Sequence, residues 1–486
     1  MIDQTAKILD YFEQINAVPR CSKSEAQISQ WLWQWAIIRK MDTQRDNAGN
    51  IVIRIPASNG FENAPGVVIQ GHMDMVCEKT PESNHNFNTD PIVSHTQGEW
   101  LKANGTTLGA DNGIAIAYML LLAESSSLPH PALELLFTVD EETGLNGAKV
   151  LQPDFIKGRI LINLDSEDEG VFTIGCAGGM DSALTVEIQR ESIPNNARMM
   201  EIIVGGLKGG HSGIDIHKHR ANANKIMART LAHVSDCTEM GLISLNGGSR
   251  KNAIARDARA VIWVEGQNEE AVQQAVNHME QTIRSEFLQT DSHLLITLKR
   301  VSDVSGMQQT LSAKDTEKVI QMLLALPHGV AGMSPSLEGL VETSSNLATI
   351  DILDHTVCIV SSQRSATMSR LAEITDSINA IGKLSHAVIE NNDDYPAWQP
   401  NMASHVLKHS QMVYRQLFDK DPVLQVIHAG LECAIIGNLV SGMDMISLGP
   451  TIRNPHSPNE KLYIPSIEPV WRFLTVLLTS LGHGQK

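Results

Sequence analysis

Residues 66–74 read GVVIQGHMD, an apolar run that ends at a glycine and is followed at once by a histidine. The run is short and rich in β-branched side chains, which predicts a strand buried on both faces. His72 and Asp74 then lie just past the carboxyl end of this strand. In open α/β sheets, ligands bind outside the carboxyl ends of the strands. The stretch therefore predicts a sheet with chemistry at one edge.

The same arrangement occurs twice more along the chain. LELLFTV at 133–139 precedes a pair of acids, Glu141 and Glu142, and ILINL at 160–164 directly precedes Asp165. Helical stretches alternate with these strands, which is the pattern of an α/β domain with a mostly parallel sheet. Three strand ends thus carry carboxylates or an imidazole.

Two further segments complete the set. GADNG places Asp111 in the turn before a helical run at 112–123, and GPTIRNPHSPNE places His456 in a loop after the strand at 444–448. Alone, an aspartate in such a turn is an ordinary helix cap, and acids before a helix complement its dipole. Together, five segments deliver imidazole or carboxylate groups to one edge, which predicts a metal site.

Two imidazoles and three carboxylates, without thiolates, suit divalent zinc, manganese or cobalt. Such a set fits two cations roughly 3.5–4 Å apart that share one carboxylate, with a bound hydroxide available near neutral pH. Because Glu141 and Glu142 are adjacent, one can bind metal while the other acts as a general base. Asp74 is placed to orient the imidazole of His72.

The chain of 486 residues exceeds the usual size of one hydrophobic core, so we expect two domains. After about residue 180 the strands alternate polar and apolar residues, until YPAWQPN at 395–401 interrupts the pattern with two prolines. We predict a catalytic domain formed by residues 1–180 and 398–486, interrupted by an α+β domain at 181–397.

Composition excludes some classes of partner. The 38 basic and 55 acidic side chains give a net charge of -17, which argues against nucleic acid or an anionic membrane. The amino terminus does not resemble a secretory signal, and no uncharged apolar run approaches the roughly 18 residues that span a bilayer. We expect a cytoplasmic protein. The six cysteines show no CxxC pair, which favours single thiols over a disulfide framework.

The motifs resemble a known family. GHMDMV, GADNGIA, DEETGLNGA, NLDSED and the late His456 resemble the zinc-dependent aminoacylases, carboxypeptidases and dipeptidases. GCAGG, GGHSGIDIH, NGGSRKNAIAR and HAGLEC are similar to the cytosolic aminoacyl-histidine dipeptidases within that family, the Xaa-His dipeptidases or peptidase D. The likeness extends to both ends of the chain. It implies a catalytic domain split around a lid domain that also forms a homodimer.

The resemblance also assigns roles to the strand-end residues. It implies one metal on His72 and Asp165, a second on Glu142 and His456, and Asp111 as the shared ligand. It further implies that Glu141 is the general base and that Asp74 orients His72.

Four residues outside the strand-end set, three of them in the inserted domain, receive roles by the same resemblance. His211 lies in GGLKGGHSG at 205–213, which lacks the GK[ST] ending of a phosphate loop. The resemblance implies that His211 reaches an active site, its own or a neighbouring subunit's, and stabilises the oxyanion of the tetrahedral intermediate. Asn252 and Arg364 are implied to hold the peptide carboxylate, a task that suits the planar guanidinium, and Gly430 to offer a backbone contact.

The leading hypothesis is a dipeptidase that hydrolyses unblocked Xaa-His dipeptides through a two-metal-bound hydroxide with Glu141 as base. A related amidohydrolase, either a deacylase or a tripeptidase, would share every metal ligand. A metal-binding scaffold without catalysis is a second alternative, against which the intact Glu141 argues. A zinc acyltransferase or cyclase is a third, and the shared Asp111 argues against it.

Overall fold

A computed structural model describes residues 4–302, 308–335, 337 and 339–482. The chain forms two compact units. The first comprises the chain up to Cys176, Trp398–Val426 and the chain from Leu431 onwards, and the second comprises Ala177–Ala397 with Ile427–Gly430. The sequence predicted that residues 398–486 all belong to the catalytic domain, whereas the structure groups Ile427–Gly430 with the second unit. That the second unit acts as a lid and dimerisation domain stays a prediction.

The amino-terminal part of the first unit contains eight strands and four helices. The strands are β1 (Asp42–Arg45), β2 (Ile51–Ile55), β3 (Val67–His72), β4 (Ser94–Gln97), β5 (Trp100–Ala103), β6 (Leu133–Thr138), β7 (Ile160–Asn163) and β8 (Val171–Cys176). The helices are α1 (Gln4–Asn16), α2 (Ala26–Ile38), α3 (Ala110–Glu124) and α4 (Asn146–Lys149).

The second unit follows, with thirteen strands and four helices among the described residues. The strands are β9 (Gly178–Glu187), β10 (Arg190–Ser192), β11 (Ala197–Gly205), β12 (Gly210–His211), β13 (Met240–Gly247), β14 (Ala253–Ile254), β15 (Ala258–Glu265), β16 (Leu295–Arg300), β17 (Gln309–Leu311), β18 (Gly329–Met333), β19 (Val341–Ile352), β20 (Thr356–Ser365) and β21 (Val388–Tyr395). The helices are α5 (Ala223–Cys237), α6 (Glu269–Glu286), α7 (Ala313–Ala325) and α8 (Met368–Leu384).

The carboxyl-terminal part returns to the first unit and supplies the remaining elements. They are β22 (Val423–Ile427), β23 (Asp444–Ser447), β24 (Ile452–Arg453), β25 (Lys461–Tyr463), α9 (His405–Phe418), α10 (Glu432–Leu439) and α11 (Ile467–Gly482).

The first unit is built on an eight-stranded sheet in the order β1-β2-β6-β3-β7-β23-β8-β22. Its four central strands are parallel, because β3 pairs in parallel with β6 and β7, and β7 with β23. All residues of β3, β6 and β7 are buried, as expected where helices cover both faces of a parallel sheet. The predicted mostly parallel α/β sheet is confirmed, and the carboxyl ends of these strands share one edge.

The second unit has a different sheet, in the order β16-β11-β15-β13-β19-β20-β9-β21, with β18 added beside β19. Its strands pair antiparallel, and β11 alternates buried and part-exposed residues as a sheet with one covered face does. The buried side chains of α5, α6 and α7 pack on that face, with Leu231, Val276 and Leu323 in the core. The predicted α+β character of this region is confirmed.

Two observations concern the whole chain. No helix within the described residues combines the length and the apolar character that crossing a bilayer requires. Cys21 and Cys77 form a disulfide with a Cα–Cα distance of 5.6 Å, so the expectation of single thiols is wrong for this pair. The two cysteines are 56 residues apart in the chain. A parallel β-bridge between the backbones of Cys21 and Met75 brings their loops together. No local sequence motif predicts this disulfide.

Candidate metal centre

The end of β3 and the loops after β6 and β7 meet the first turn of α3 and the loop between β24 and β25 at one edge of the first unit's sheet. His72 is the last residue of β3 and Asp111 lies within α3, so both lie one step inside the elements that the sequence predicted them to flank. His72 Nε2 lies 3.1 Å from Asp111 Oδ1 and 3.3 Å from Asp165 Oδ1. His456 Nε2 lies 3.1 Å from Asp111 Oδ2 and 3.0 Å from Glu142 Oε2. Asp111 thus directs one oxygen toward each histidine, which is the arrangement that a carboxylate shared by two cations requires.

The residues present fit a pair of divalent cations. Potential ligand atoms of His72, Asp111 and Asp165 lie within 4.8 Å of one another, and so do those of Asp111, Glu142 and His456. The buried Oε1 of Glu142 has no hydrogen-bond partner among the described residues. Three carboxylates face two imidazoles, and buried negative charge of this kind needs a compensating cation.

The protonation of the histidines leads to the same conclusion. Burial opposes a charged imidazole, yet hydrogen bonds to Asp111 and Glu142 raise the pKa of His456 to about 11. Burial also disfavours charge on His72, but the nearby Asp165 and Asp111 raise its pKa well above the ordinary value. The carboxylates therefore stabilise positive charge at both positions, and a bound cation would supply that charge in place of the protons.

Asp74 connects the imidazole of His72 to the turn that carries the two glutamates. Its Oδ1 lies 3.3 Å from His72 Nδ1. Its carboxylate also accepts the N–H groups of Glu141 at 3.0 Å and Glu142 at 3.2 Å, and the hydroxyl of Ser22 at 2.8 Å. Although burial opposes ionisation, the bonds from His72 and the Glu141 amide keep the pKa of Asp74 below its ordinary value.

Glu141 faces the same cluster, because its carboxylate lies within 4.8 Å of ligand atoms of His72 and Glu142. Burial raises the pKa of Glu141 well above its ordinary value; His72 opposes this shift, while Asp165 and Glu142 add to it. A carboxylate of raised pKa is a stronger base, as acid–base catalysis near neutral pH requires.

Several residues around the centre lie inside the quoted motifs, but the sequence assigned no role to them. Asn112 accepts the N–H of His72 at 3.1 Å and donates to the carbonyl of Leu164 at 2.8 Å, which ties the ends of β3 and β7 to α3. Glu432 is fully buried, and burial raises its pKa to about 7. Burial, with Asp111 adding, raises the pKa of Glu167 to about 8. Asn112, Glu432 and Glu167 lie in GADNGIA, HAGLEC and NLDSED, and membership of these motifs is the one sequence signal that could have identified them.

The four predicted residues of the second unit form two pairs, and the members of each pair lie near each other. The first pair is His211 and Asn252. The β12–β14 ladder pairs His211 with Ala253, and the N–H of Ser212 donates to the carbonyl of Asn252 at 2.9 Å, so His211 and Asn252 lie on adjacent segments. His211 Nδ1 accepts the N–H of Ile214 at 3.0 Å, which orients the ring.

Arg364 and the segment of Gly430 meet at Gly213. A Cβ on Gly213 would lie 2.1 Å from the carbonyl oxygen of His428 and 3.2 Å from Arg364 Nε, so only glycine permits this approach. Arg364 Nη1 donates to the Tyr395 hydroxyl at 2.8 Å. Within the second unit, Arg364 and the short segment Ile427–Gly430 therefore both lie against Gly213.

A parallel sheet whose carboxyl edge carries two histidines and two further carboxylates around Asp111 is the framework of a metal-dependent hydrolase. Residues 68–480 match Peptidase family M20/M25/M40, and this chain belongs to that family. It is a metallopeptidase of the dipeptidase type, which confirms the family that the motifs predicted.

Individual relatives cover nearly the whole chain. The cytosol non-specific dipeptidase of Escherichia coli (strain K12) is 39% identical over 472 residues, which are 97% of this chain and 97% of that protein. The crystal structure of an aminoacylhistidine dipeptidase from Vibrio alginolyticus superposes with a TM-score of 0.87 at 37% identity, over 98% of this chain and 96% of that one. A tripeptidase from Staphylococcus aureus shares the fold, with a TM-score of 0.57 at 16% identity over 99% of both chains.

Proposed function

We propose that this protein hydrolyses unblocked dipeptides with a carboxyl-terminal histidine and that two divalent cations, zinc first among the candidates, serve the reaction. The observation that carries the proposal is the placement of Asp111, whose two carboxylate oxygens each lie 3.1 Å from a different histidine. The Vibrio relative named an aminoacylhistidine dipeptidase supports the choice of substrate.

The proposed ligands follow the two groups around Asp111. His72 and Asp165 would hold one cation with Asp111, and Glu142 and His456 would hold the other with Asp111. When bound, the cations supply a water of lowered pKa and polarise the scissile carbonyl. Zinc, manganese and cobalt all accept imidazole and carboxylate ligands, so the donor set admits each of them.

Glu141 would then move the proton. As a carboxylate it accepts the proton of the attacking water, and as a neutral acid it delivers that proton to the leaving nitrogen. Burial favours the neutral form of Glu141, so the buried site stabilises the intermediate stage in which it carries the proton. Asp74 would hold the imidazole of His72 in the orientation that the ligand needs.

The second unit would bind and orient the peptide. Among the described residues, the buried Nε of Arg364 has no hydrogen-bond partner, and a buried guanidinium needs an anionic partner. The substrate's terminal carboxylate would supply it, with Asn252 and the backbone at Gly430 beside it. His211 would donate to the oxyanion that develops at the scissile carbonyl, in its own or a neighbouring subunit. We further propose a homodimer formed through the second unit and a cytoplasmic location.

A substrate panel tests the proposal. Protein stripped of metal and reloaded with zinc, manganese or cobalt is assayed on Xaa-His dipeptides, other dipeptides, tripeptides and acylated amino acids. We expect hydrolysis of unblocked Xaa-His dipeptides and no activity before metal is added. Because the Escherichia coli relative is named a non-specific dipeptidase, dipeptides without histidine measure how narrow the preference is.

Exclusive cleavage of acylated amino acids would replace the proposal with a deacylase. Exclusive cleavage of tripeptides would replace it with a tripeptidase. Both alternatives use the same dinuclear site, so only the panel separates them.

A further inference from the structure

Glu460 lies four residues after His456 and is buried. Its carboxylate accepts three backbone N–H groups. Oε2 accepts from Leu108 at 2.8 Å and from Gly109 at 2.9 Å, and Oε1 accepts from Asp111 at 3.2 Å. One side chain from the loop of His456 therefore holds the turn that carries Asp111.

The turn needs such support because its own residues do not provide it. Helix α3 is preceded by Gly109 in the left-handed conformation, and this residue supplies no side-chain cap. Asp111 itself has a non-helical ψ of 106° inside the first turn of α3. The first N–H groups of a helix lack partners within it, and an anion is favoured beside them. From a segment about 350 residues away, Glu460 accepts the N–H of Asp111 in the first turn of α3 and those of Leu108 and Gly109 just before it.

Arg20 holds the same turn through a backbone carbonyl. Its guanidinium is buried and donates to the carbonyl of Gly109 at 2.5 Å, and to the carbonyls of Met73 and Asp74 at 3.2 Å each. The N–H of Gly109 thus bonds to Glu460 while its carbonyl bonds to Arg20. Through these contacts the loops of His72, Asp111 and His456 are fixed together.

We propose that Glu460 is a positioning residue for the two-metal centre. It acts through the backbone of 108–111 and sets the distance between the shared Asp111 and His456. The inference rests on the proposed two-metal function, because it concerns the geometry of those ligands. Groups that support metal ligands in this way typically change metal affinity 10- to 100-fold when they are replaced, so we expect a loss of about that size.

Glu460→Gln is the direct test. Whichever way its amide turns, an NH2 group faces at least one N–H donor of the turn. The matched control is Glu134→Gln in the same unit: Glu134 is also buried and accepts the N–H groups of Lys157 and Gly158 at 2.7 Å each. Glu134 is the second residue of β6 and lies toward the end of the sheet away from the candidate ligands.

Metal affinity and stoichiometry are measured by calorimetric titration, and the ligand geometry by the visible spectrum of the cobalt-loaded protein. We expect metal binding about 10- to 100-fold weaker and an altered cobalt spectrum in Glu460→Gln, and neither change in Glu134→Gln. Wild-type affinity and spectrum in Glu460→Gln, or an equal loss in both variants, would overturn the proposal.

Hydrogen exchange of the wild-type protein tests the same idea without a variant that has to fold. The N–H groups of Leu108, Gly109 and Asp111 are expected to be protected before any metal is added. Fast exchange that slows only on metal addition would mean that metal, and not Glu460, holds the turn. Wild-type protein that binds fewer than two cations would contradict the proposed function, while this exchange pattern would still decide the role of Glu460.

Discussion

The two units present their candidate residues in different ways. In the first unit, parallel strands end at a common edge, and the residues that follow them meet there because the sheet brings their ends together. In the second unit the main sheet is antiparallel, and His211, Asn252 and Arg364 come from a short ladder, a loop and a strand end. Strand-end position can therefore indicate a site in a parallel sheet, whereas an antiparallel unit offers no such rule.

The largest effect is expected in the first unit. Glu141→Gln removes the proposed base while keeping the size of the side chain, and general acid–base catalysis typically contributes 10²- to 10⁴-fold. We expect kcat to fall by about that factor with metal content unchanged, as checked by steady-state kinetics and elemental analysis. Unchanged turnover would contradict the proposed mechanism and would favour the catalytically inactive scaffold considered from the sequence.

A somewhat smaller effect is expected for His211→Ala in the second unit. Loss of one oxyanion donor typically lowers kcat by about 10²- to 10³-fold. The fall should appear in kcat with metal affinity unchanged, since His211 is not among the proposed ligands. Mixing this variant with Glu141→Gln under subunit exchange then tests sharing: recovered activity supports a site completed by the neighbouring subunit, and no recovery counts against it.

Arg364→Lys probes how the second unit recognises the carboxylate. Lysine keeps the charge but loses the two-pronged geometry and the bond to Tyr395. Hydrogen bonds to charged groups contribute about 1.5–3 kcal/mol, so we expect kcat/KM to fall roughly 10- to 100-fold. Substrates with an amidated carboxyl terminus provide the control. They lack the carboxylate, so their kcat/KM should be similar for the wild-type protein and the variant. An equal loss on both substrates would refute a carboxylate contact.

The smallest effect is the dependence of metal affinity on pH. In the protein without metal, Asp111 and Glu142 raise the pKa of His456 to about 11 against the effect of burial, so a proton must leave before metal binds. Affinity should therefore rise with pH, by up to about tenfold per unit for one released proton. Titration of metal at several pH values measures the slope. A flat profile would show that no proton is exchanged for metal.

The sequence predicted the first unit well for a physical reason. The strand that ends at His72 and the strand before Glu141 are short and mostly apolar, as is typical of a sheet covered on both faces. Strand direction then fixed where the polar residues after them must lie. The family likeness supplied what the spacing could not, namely which ligands belong to which cation.

The supporting residues could not be predicted in the same way. Glu460, Arg20 and Asn112 form hydrogen bonds with backbone groups. Every residue has a backbone carbonyl and almost every one has an N–H, so the sequence does not indicate which of these groups is bonded. The disulfide between Cys21 and Cys77 depends likewise on two loops that meet only in the folded protein.

Burial and side-chain chemistry are local properties, so the sequence was enough to predict the type of sheet, the strand-end residues and the kind of metal that they suit. That each oxygen of Asp111 lies beside a different histidine, and that Glu460 holds the turn of Asp111, is visible only in the folded protein. These contacts join residues from 39 to 349 positions apart in the chain, and the folding of the sheet is what brings those residues within bonding distance.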